Sequence, residues 1–351
     1  MKLDDLLKQS GEWLKGTGPN SSIAISSRLR LARNIKGFNF FDWSDKETKQ
    51  KVKQLCMEKV GSINLMKNAL YAEMDKISAT DRQFLMERHL ISREHLNNTS
   101  EKSVFIGDGE MISIMVNEED HLRIQVLQSG LNLEECWNIL ERLNKDLGER
   151  IDFAYSEQLG FLTACPTNVG TGMRASVMMH LPAIVMTQQI RGVIEAISKM
   201  GLAVRGLFGE GTQASGNFFQ ISNQVTLGHT EESLMSSLQR VVKQIISQEE
   251  SSRKFLMAKK KEIIEDKIER SYATLKSAHI ITSEETLELL SIIRMGIETN
   301  IIKNISNSTI NELFIIIQPA HLQKIKQRQL STPERDIERA KLIRDRLGRG
   351  V

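Results

Sequence analysis

The sequence predicts an α/β (α+β) fold over residues 1–250, followed by an all-helical domain over residues 251–351. Two observations lead to this prediction. Up to about residue 230, segments that alternate apolar and polar residues are interleaved with segments whose apolar residues recur at helical spacing. Beyond that point only the helical spacing continues, among many charged residues. Because this spacing runs through the boundary, we expect the boundary to lie inside a long helix.

The bulk composition is typical of a two-domain cytoplasmic protein. The chain has 351 residues, 40% of them apolar, and a net charge of only +3, so it can build two cores and shows no nucleic-acid-binding arm. Its three cysteines are widely spaced, which disfavours a disulfide framework and a zinc site. The N-terminus lacks a signal-peptide core, and no apolar run reaches the ~18 residues of a membrane span. We therefore expect no direct nucleic-acid or membrane partner.

The first predicted strand starts near residue 22. One face carries the apolar residues Ile23, Ile25, Leu29 and Leu31, and the opposite face carries Ala24, Ser26, Arg28 and Arg30. Alternation of period two therefore predicts a strand with two arginines side by side on its polar face.

The next elements are predicted from the same patterns. Residues 45–96 have a helical pattern. Alternating residues over 112–116 and 122–126 flank the turn-forming segment 117–120, which predicts a hairpin whose polar face includes Arg123.

The second half of the chain is predicted to pass from mixed structure to helices. Pro182 and Gly201 frame a helix. Short strands over 202–207 and 218–222 then enclose a glycine-rich segment. Helical spacing follows, and Thr282 with Glu285 forms a candidate capping box.

Common phosphate-binding motifs are missing from the sequence. It has neither a GxxxxGK[ST] loop nor the HRD and DFG motifs of protein kinases. A G-x-G-x-x-A match at Gly209, Gly211 and Ala214 precedes a strand pattern, whereas a dinucleotide fingerprint requires a helix there.

The sequence instead carries arginines at strand ends and beside glycine-rich segments. A single arginine of this kind is more often a surface residue or a salt-bridge partner than a ligand-binding group. Several together can neutralise a triphosphate, because the guanidinium fork matches phosphate oxygens bidentately and keeps its charge. The candidates are Arg28, Arg30, Arg123, Arg174 and Arg205.

Four blocks, in family order, closely resemble the phosphagen kinases, the family of arginine and creatine kinases. They are Ser26–Arg30, Asn117–Arg123, Cys165–Thr171 (CPTNVGT), and Arg205-Gly206 with Glu210. The resemblance implies a catalytic domain with a largely antiparallel sheet flanked by helices.

The resemblance also implies binding of ATP and Mg²⁺. The five arginines would hold the nucleotide phosphates, and His89 is similar to a family histidine near the adenine. Mg²⁺ would be held by phosphate oxygens and water, with no protein ligand. The segments implied to line the nucleotide site are Ser26, Ser27, Arg28, Leu29 and Arg30; Arg174, Ala175, Ser176, Val177 and Met178; and Arg205, Gly206, Leu207, Phe208, Gly209 and Glu210.

Arginine phosphorylation needs a base. A guanidinium is a poor nucleophile because its pKa exceeds ~12, so a carboxylate must orient it and accept a proton as nitrogen attacks the γ-phosphorus. Glu119 at the hairpin turn and Glu210 on the glycine-rich loop are the candidate carboxylates. By family resemblance Cys165 lies beside the substrate guanidinium, where neighbouring arginines could lower its pKa.

Two departures from ordinary phosphagen kinases point to a protein substrate. Their helical domain ahead of the first arginine strand is expected to be missing here, which would leave a more open site. Met178 replaces a common family histidine, which concerns only the adenine contacts; these are expected to differ in detail. The helical tail resembles that of bacterial protein arginine kinases, in which an RDxxRA motif forms a regulatory phosphoarginine pocket; the matching residues are Arg335, Asp336, Ile337, Glu338, Arg339 and Ala340.

The leading hypothesis is therefore a protein arginine kinase. The resemblance implies a homodimer that autophosphorylates, acts in the stress response, marks proteins for degradation, and is linked to a zinc-containing activator, a heat-shock repressor and the Clp protease. A free-arginine kinase and a non-catalytic phosphoarginine-binding adaptor are the alternatives. Target proteins and their arginines are not readable from the sequence.

Overall fold

The computed structural model describes residues 2–206 and 215–348. The strands are β1 (Ala24–Arg33), β2 (Leu70–Glu73), β3 (Ser103–Ile106), β4 (Ile112–Val116), β5 (Leu122–Ser129), β6 (Tyr155–Ser156), β7 (Gly160–Phe161), β8 (Met173–His180), β9 (Leu202–Gly206) and β10 (Phe218–Asn223). The helices are α1 (Lys46–Gly61), α2 (Ala79–Glu87), α3 (Arg93–Leu96), α4 (Leu133–Gly148), α5 (Pro182–Met186), α6 (Ile190–Lys199), α7 (Glu231–Lys259), α8 (Lys261–Ser277), α9 (Ser283–Glu298), α10 (Asn307–Ile316), α11 (Pro319–Lys326) and α12 (Thr332–Gly348).

Most of the strands within the described ranges belong to one antiparallel sheet. Its order is β2-β3-β4-β5-β1-β8-β10-β9, and every neighbouring pair is antiparallel. Strands β6 and β7 form a separate hairpin. The predicted mixed fold, with a largely antiparallel sheet and a helical C-terminal region, is confirmed, as are the 112–126 hairpin and the strand over 218–222.

One face of the central strands packs against helices and forms the first core. Leu29 and Leu31 of β1 and Val177 of β8 are fully buried there, with α4 packed on β1 and β5 and α7 packed on β8. Because side chains alternate along a strand, the intervening residues point to the opposite face. That face carries the polar side chains of the central strands.

A register shift at the start of β1 changes the predicted alternation. The pairing with β8 slips between Ala24 and Ser26, as in a β-bulge, which places an extra residue in one strand. Ala24 therefore joins the core with Leu29, and Ile25 enters the second core under the C-terminal helices. The sequence pattern had assigned these two residues to the opposite faces.

Two predicted helical segments are interrupted. Residues 45–96 contain strand β2, which pairs with β3. The sequence missed it because a short apolar run is compatible with both a helix and a strand. The helix predicted between Pro182 and Gly201 breaks into α5 and α6, with Gln188 in left-handed backbone (φ 61°).

The C-terminal helices build a second core that extends onto the sheet. Ile25 of β1 and Phe218 of β10 pack in it beside Leu290 and Ile293 of α9. Helix α9 begins at the predicted cap, where the Thr282 side chain accepts a hydrogen bond from the Glu285 amide. Residue 250 lies within α7, and the division into domains 1–250 and 251–351 stays a prediction. None of the described helices is both long and apolar enough to cross a membrane.

Arg294 of α9 joins the helical region to the residues just before the first strand. Its side chain is fully buried and donates to the Ser21 and Ser22 carbonyls at 2.6 and 2.9 Å and to Asn311 Oδ1 at 3.1 Å. A buried charge at this position is tolerated because these oxygens replace its water shell.

Replacing Arg294 by Met is expected to lower the free energy of unfolding by roughly 3 kcal/mol, because the substitution leaves several buried acceptors without a donor. Urea denaturation would measure the loss. Arg270→Met is the matched control, since that side chain is 80% exposed and should change stability by less than about 0.5 kcal/mol. Equal effects for the two variants would contradict the assigned role of Arg294.

Candidate active site

The polar face of the sheet gathers the predicted arginines by strand register. Arg30 of β1 lies directly opposite Arg174 of β8, and Arg28 lies opposite Ser176. Ala32 lies opposite Arg123 of β5. Directly opposed residues share a face, as do residues two apart on one strand. Arg28, Arg30, Arg123 and Arg174 therefore point the same way.

Three of these arginines line an open pocket, here called the Glu119 pocket. Its lining residues are Arg30, Leu31, Ala32, Glu118, Glu119, Asp120, Arg123, Asn168, Gly172 and Arg174. The hairpin turn and the turn before β8 thus meet over the arginines of the central strands.

The arginines are held close enough to repel one another. Burial, then Arg123 and Arg174, lower the pKa of Arg28 to about 9. Burial also lowers the pKa of Arg30, and the charges of Arg28, Arg123 and Arg174 add to the effect. Such a cluster is stabilised by an anion.

Unpaired donors indicate where an anion fits. In the described part of the chain, the Nε atoms of Arg30 and Arg174 are buried and have no hydrogen-bond partner. An unsatisfied buried donor costs about 1–3 kcal/mol, and phosphate oxygens would satisfy both in a charge-assisted geometry. The residues present therefore fit a polyphosphate.

The three acidic residues of the hairpin turn have different surroundings. Glu118 is buried and its Oε1 lies 2.5 Å from Arg123 Nη1. Burial raises the pKa of Glu118, but Arg123, Ser92 and the Glu119 amide outweigh burial and bring it to about 2. Asp120 accepts from Asn34 Nδ2 at 2.6 Å and from the Ala164 amide at 2.7 Å. These bonds fix the turn and tie it to the segment that carries Cys165.

Glu119 is the exposed member of the three. Desolvation at the pocket wall, then the charges of Asp120 and Glu118, raise the pKa of Glu119. A carboxylate with a raised pKa is a stronger base than an ordinary one once it is ionised. Sequence reasoning identified Glu119 but missed the supporting roles of Glu118 and Asp120, although both lie in the same block.

Cys165 lies at the start of the turn that reaches the pocket. It is partly exposed, whereas Cys56 and Cys136 are buried. Its Sγ lies 3.1 Å from Thr167 Oγ1. Burial, Arg205 and Arg123 lower the pKa of Arg174 to about 10, and Cys165 acts in the opposite direction, so the thiol and Arg205 both lie near Arg174.

A second pocket, here called the His89 pocket, lies farther along the same face. Its lining residues are Trp13, Ser26, Arg28, His89, Leu127, Ser176, Met178 and Gln220. Burial, then Arg28, lowers the pKa of His89 to about 3, so its ring stays neutral. A pocket that combines a neutral imidazole with the apolar side chains of Trp13, Leu127 and Met178 suits an uncharged planar ring next to the phosphate site.

Comparison with known proteins decides the family. The chain matches the family described as ATP:guanido phosphotransferase, C-terminal catalytic domain, over residues 51–252. It matches that described as Protein-arginine kinase McsB C-terminal domain over residues 261–350. It is 46% identical to the protein-arginine kinase of Halothermothrix orenii over 99% of both chains. It is 48% identical to that of Desulforamulus reducens over 96% of this chain and 95% of the other. The chain belongs to the protein-arginine kinase family.

Two solved kinase structures share the fold. The duplicated taurocyamine kinase of Schistosoma mansoni, with bound transition state analog components, matches with a TM-score of 0.59 and 25% identity over 70% of this chain. The chain spans only 38% of that protein. A lombricine kinase matches with a TM-score of 0.60 and 22% identity over 71% of each chain, which concerns the fold alone.

Because members of this family use ATP, we compare the Glu119 pocket and the His89 pocket with the parts of ATP. Trp13 is then an unpredicted wall of the His89 pocket, with its ring centroid 5.3 Å from that of His89 in an edge-on arrangement. Leu127 and Gln220 were also missed. Alternation along β5 and β10 could have indicated both, whereas no local signal joins Trp13 to His89, which is more than seventy residues away in the sequence.

ATP binding is expected to change the fluorescence of Trp13, because the nucleotide would alter the surroundings of its indole. Trp13→Phe should remove this change and raise the KM for ATP several-fold through loss of an aromatic contact. Trp43→Phe is the control, since Trp43 is 84% exposed and should leave the titration unchanged. An unaltered titration in Trp13→Phe would place the nucleotide elsewhere.

Several predicted nucleotide-site residues do not face the pockets. Leu29, Ala175 and Val177 lie in the first core, and the Ser27 hydroxyl donates to the Gly130 carbonyl at 2.8 Å. The family resemblance assigned every residue of these strand segments to the nucleotide site. Because side chains alternate along a strand, only every second one can reach that site.

The fourth block is only partly described. Arg205 is exposed on β9 opposite Gln220, and Gly206 ends that strand. Leu207, Phe208, Gly209 and Glu210 lie outside the described residues.

The family's tail segment, 335–340, lies on α12 with its two arginines in unlike environments. Arg335 donates to the Leu330 carbonyl and to Thr332 Oγ1. Arg339 is 2% exposed, donates to the Ile317 and Ile281 carbonyls, and pairs with Asp336. Ile337 is exposed, Ala340 is buried, and Glu338 pairs with Lys326. The Nε and Nη1 donors of Arg339 therefore already have partners, and the regulatory phosphoarginine pocket at 335–340 stays a prediction.

Proposed function

We propose that this enzyme transfers the γ-phosphate of ATP to the guanidinium of arginine side chains in proteins. The observation that carries the proposal is the Glu119 pocket, which joins a carboxylate of raised pKa to arginines with unsatisfied buried donors. The carboxylate can act as a base, and the arginines can bind a triphosphate. The protein substrate is supported by relatives that are named protein-arginine kinases.

The phosphates of ATP would lie across the sheet face between the two pockets. Arg28, Arg30, Arg123 and Arg174 would hold their oxygens, with Arg205 reaching from β9. Mg²⁺, bound through phosphate oxygens and water, would neutralise further charge on the transferring group. The adenine would fit beside His89 and Trp13.

Glu119 would act on the substrate guanidinium. Its carboxylate orients one guanidinium nitrogen and accepts a proton from it, while the nitrogen lone pair forms the bond to the γ-phosphorus. The bond from that phosphorus to the β,γ-bridging oxygen breaks, and ADP leaves with the electron pair. Glu210 would bracket the guanidinium from the other side, and Cys165 would contact it as a thiolate; both roles rest on family resemblance.

The test compares two acceptors. The enzyme, ATP and either an unfolded protein or free arginine are incubated together, and mass spectrometry under conditions that preserve acid-labile phosphate maps the modified arginines. We expect phosphoarginine in the protein and little turnover of the free amino acid. Efficient turnover of free arginine without protein modification would favour a free-arginine kinase.

Wider roles are proposed on the family resemblance. They are a homodimer in the cytoplasm, a phosphoarginine pocket at 335–340 that regulates activity, and a part in the stress response that marks proteins for degradation. A zinc-containing activator, a heat-shock repressor and the Clp protease are the proposed partners. A phosphate that binds the Nε or Nη1 atom of Arg339 would have to replace the Ile317 or Ile281 carbonyl.

A further inference from the structure

A groove lies next to the Glu119 pocket, on the other side of one turn of the chain. Asn168 and Gly172 of this turn line the pocket, whereas Gly170 and Thr171 line the groove. Two residues of chain span at most ~7 Å. A bound molecule that leaves the pocket over this turn therefore enters the groove within a few ångströms.

The walls of this groove carry exposed apolar side chains beside the polar side chains of Gln158, Thr171 and His229, and they are open to solvent. We name it the flanking groove and define it by Tyr155, Leu159, Phe161, Gly170, Leu227 and Glu231. Tyr155 is 58% exposed, and Leu159 and Leu227 are each 47% exposed. Single exposed apolar side chains are ordinary, but several around one concavity indicate a binding surface.

The floor of the flanking groove is held in place before anything binds. The Phe161 amide donates to the Gly170 carbonyl at 2.8 Å, and the Arg33 guanidinium lies 3.5 Å from the centre of the Phe161 ring. Thr226 Oγ1 donates to the Val169 carbonyl at 2.6 Å. A preformed surface loses little conformational entropy on binding.

We propose that the flanking groove binds an apolar side chain of the substrate polypeptide, two to four positions from the target arginine. An extended chain advances ~3.3–3.6 Å per residue, so these positions reach from the pocket across the turn into the groove. Glu231 at the wall would disfavour an acidic side chain there. The proposal rests on the proposed action on protein arginine, because free arginine has no flanking residues.

The test uses the full-length enzyme and short peptides with one arginine in a Gly/Ser background. Leu replaces Ser in turn at two, three or four positions on either side of the arginine. We expect the best Leu peptide to have a kcat/KM at least ~10-fold above that of the Leu-free peptide, as burial of one such side chain permits. The double variant Leu159→Ser/Leu227→Ser should lose this preference and keep its kcat/KM for the Leu-free peptide. Ile263→Ser, at a residue 65% exposed on α8, should keep both values.

Three results would overturn the inference. The first is an equal kcat/KM for all peptides with the wild-type enzyme, and the second is a Leu preference that persists in the double variant. The third is weaker self-association of the double variant than of the wild type, which would mean that a second copy of the chain occupies the groove. Phosphorylation of free arginine but of no peptide is a separate result, which would remove the proposed function and this inference with it.

Discussion

Glu119→Gln is expected to lower kcat for arginine phosphorylation by about 10²–10⁴-fold, the usual contribution of a positioned general base. Glutamine keeps the size of the side chain and can still accept a hydrogen bond, but it cannot take the guanidinium proton. Glu119 is exposed, so folding should be unaffected, and thermal unfolding would confirm this. Glu134→Gln on α4, also an exposed carboxylate, is the control and should retain full activity.

The pH dependence of kcat/KM gives an independent check of Glu119. Only the ionised carboxylate is a base, and its pKa is raised above the ordinary value. Activity should therefore fall as pH decreases through the raised pKa, and Glu119→Gln should lack this acid limb.

The same variant separates a kinase from a phosphoarginine-binding adaptor. An adaptor would keep its function when Glu119 is replaced, because binding needs no base. Retained phosphoryl transfer in Glu119→Gln would instead show that another group accepts the proton.

Arg30→Met is expected to change activity and stability in opposite directions. Loss of one phosphate-binding guanidinium should reduce kcat/KM for ATP by about 10³-fold or more, since a single arginine at a transferring phosphate contributes this much. Without nucleotide, the substitution removes a charge that Arg28, Arg123 and Arg174 repel and whose Nε has no partner. The nucleotide-free protein should become more stable, on the order of 1 kcal/mol.

Thermal unfolding with and without ATP would measure both effects. The wild-type Tm should rise on addition of ATP, because a ligand that binds only the native state stabilises it. Arg30→Met should start from a higher Tm and show little rise. A lower Tm for nucleotide-free Arg30→Met than for the wild type would mean that Arg30 stabilises the fold, as Arg294 does. It would contradict a role for Arg30 in binding an anion only.

The sequence pattern predicted side-chain positions correctly where they depend on a single strand or turn. Alternation placed Arg28 and Arg30 on one face, and the turn residues placed Glu119 beside Arg123. These predictions succeed because strand periodicity and turn chemistry depend on neighbours in the chain.

The sequence pattern failed to predict side-chain positions that depend on segments distant in the chain. The bulge at Ala24 depends on pairing with β8, and Trp13 reaches His89 only because the chain folds back on itself. Arg339 lies on a charged helix typical of a solvated face, yet the Ile281 and Ile317 carbonyls bury it. Neither partner is near it in sequence.

Residue identities alone establish which chemical groups the chain offers: arginines for phosphate, carboxylates for a guanidinium, and blocks that resemble a kinase family. The tertiary structure decided which of them act together. Cross-strand register set four arginines on one face, and pairing of Glu118 with Arg123 left Glu119 as the exposed carboxylate. The turn at 168–172 brought a groove with exposed apolar side chains beside the pocket. The reason is that residue chemistry is local, whereas charge repulsion, desolvation and shared cavities arise only between segments that folding brings into contact.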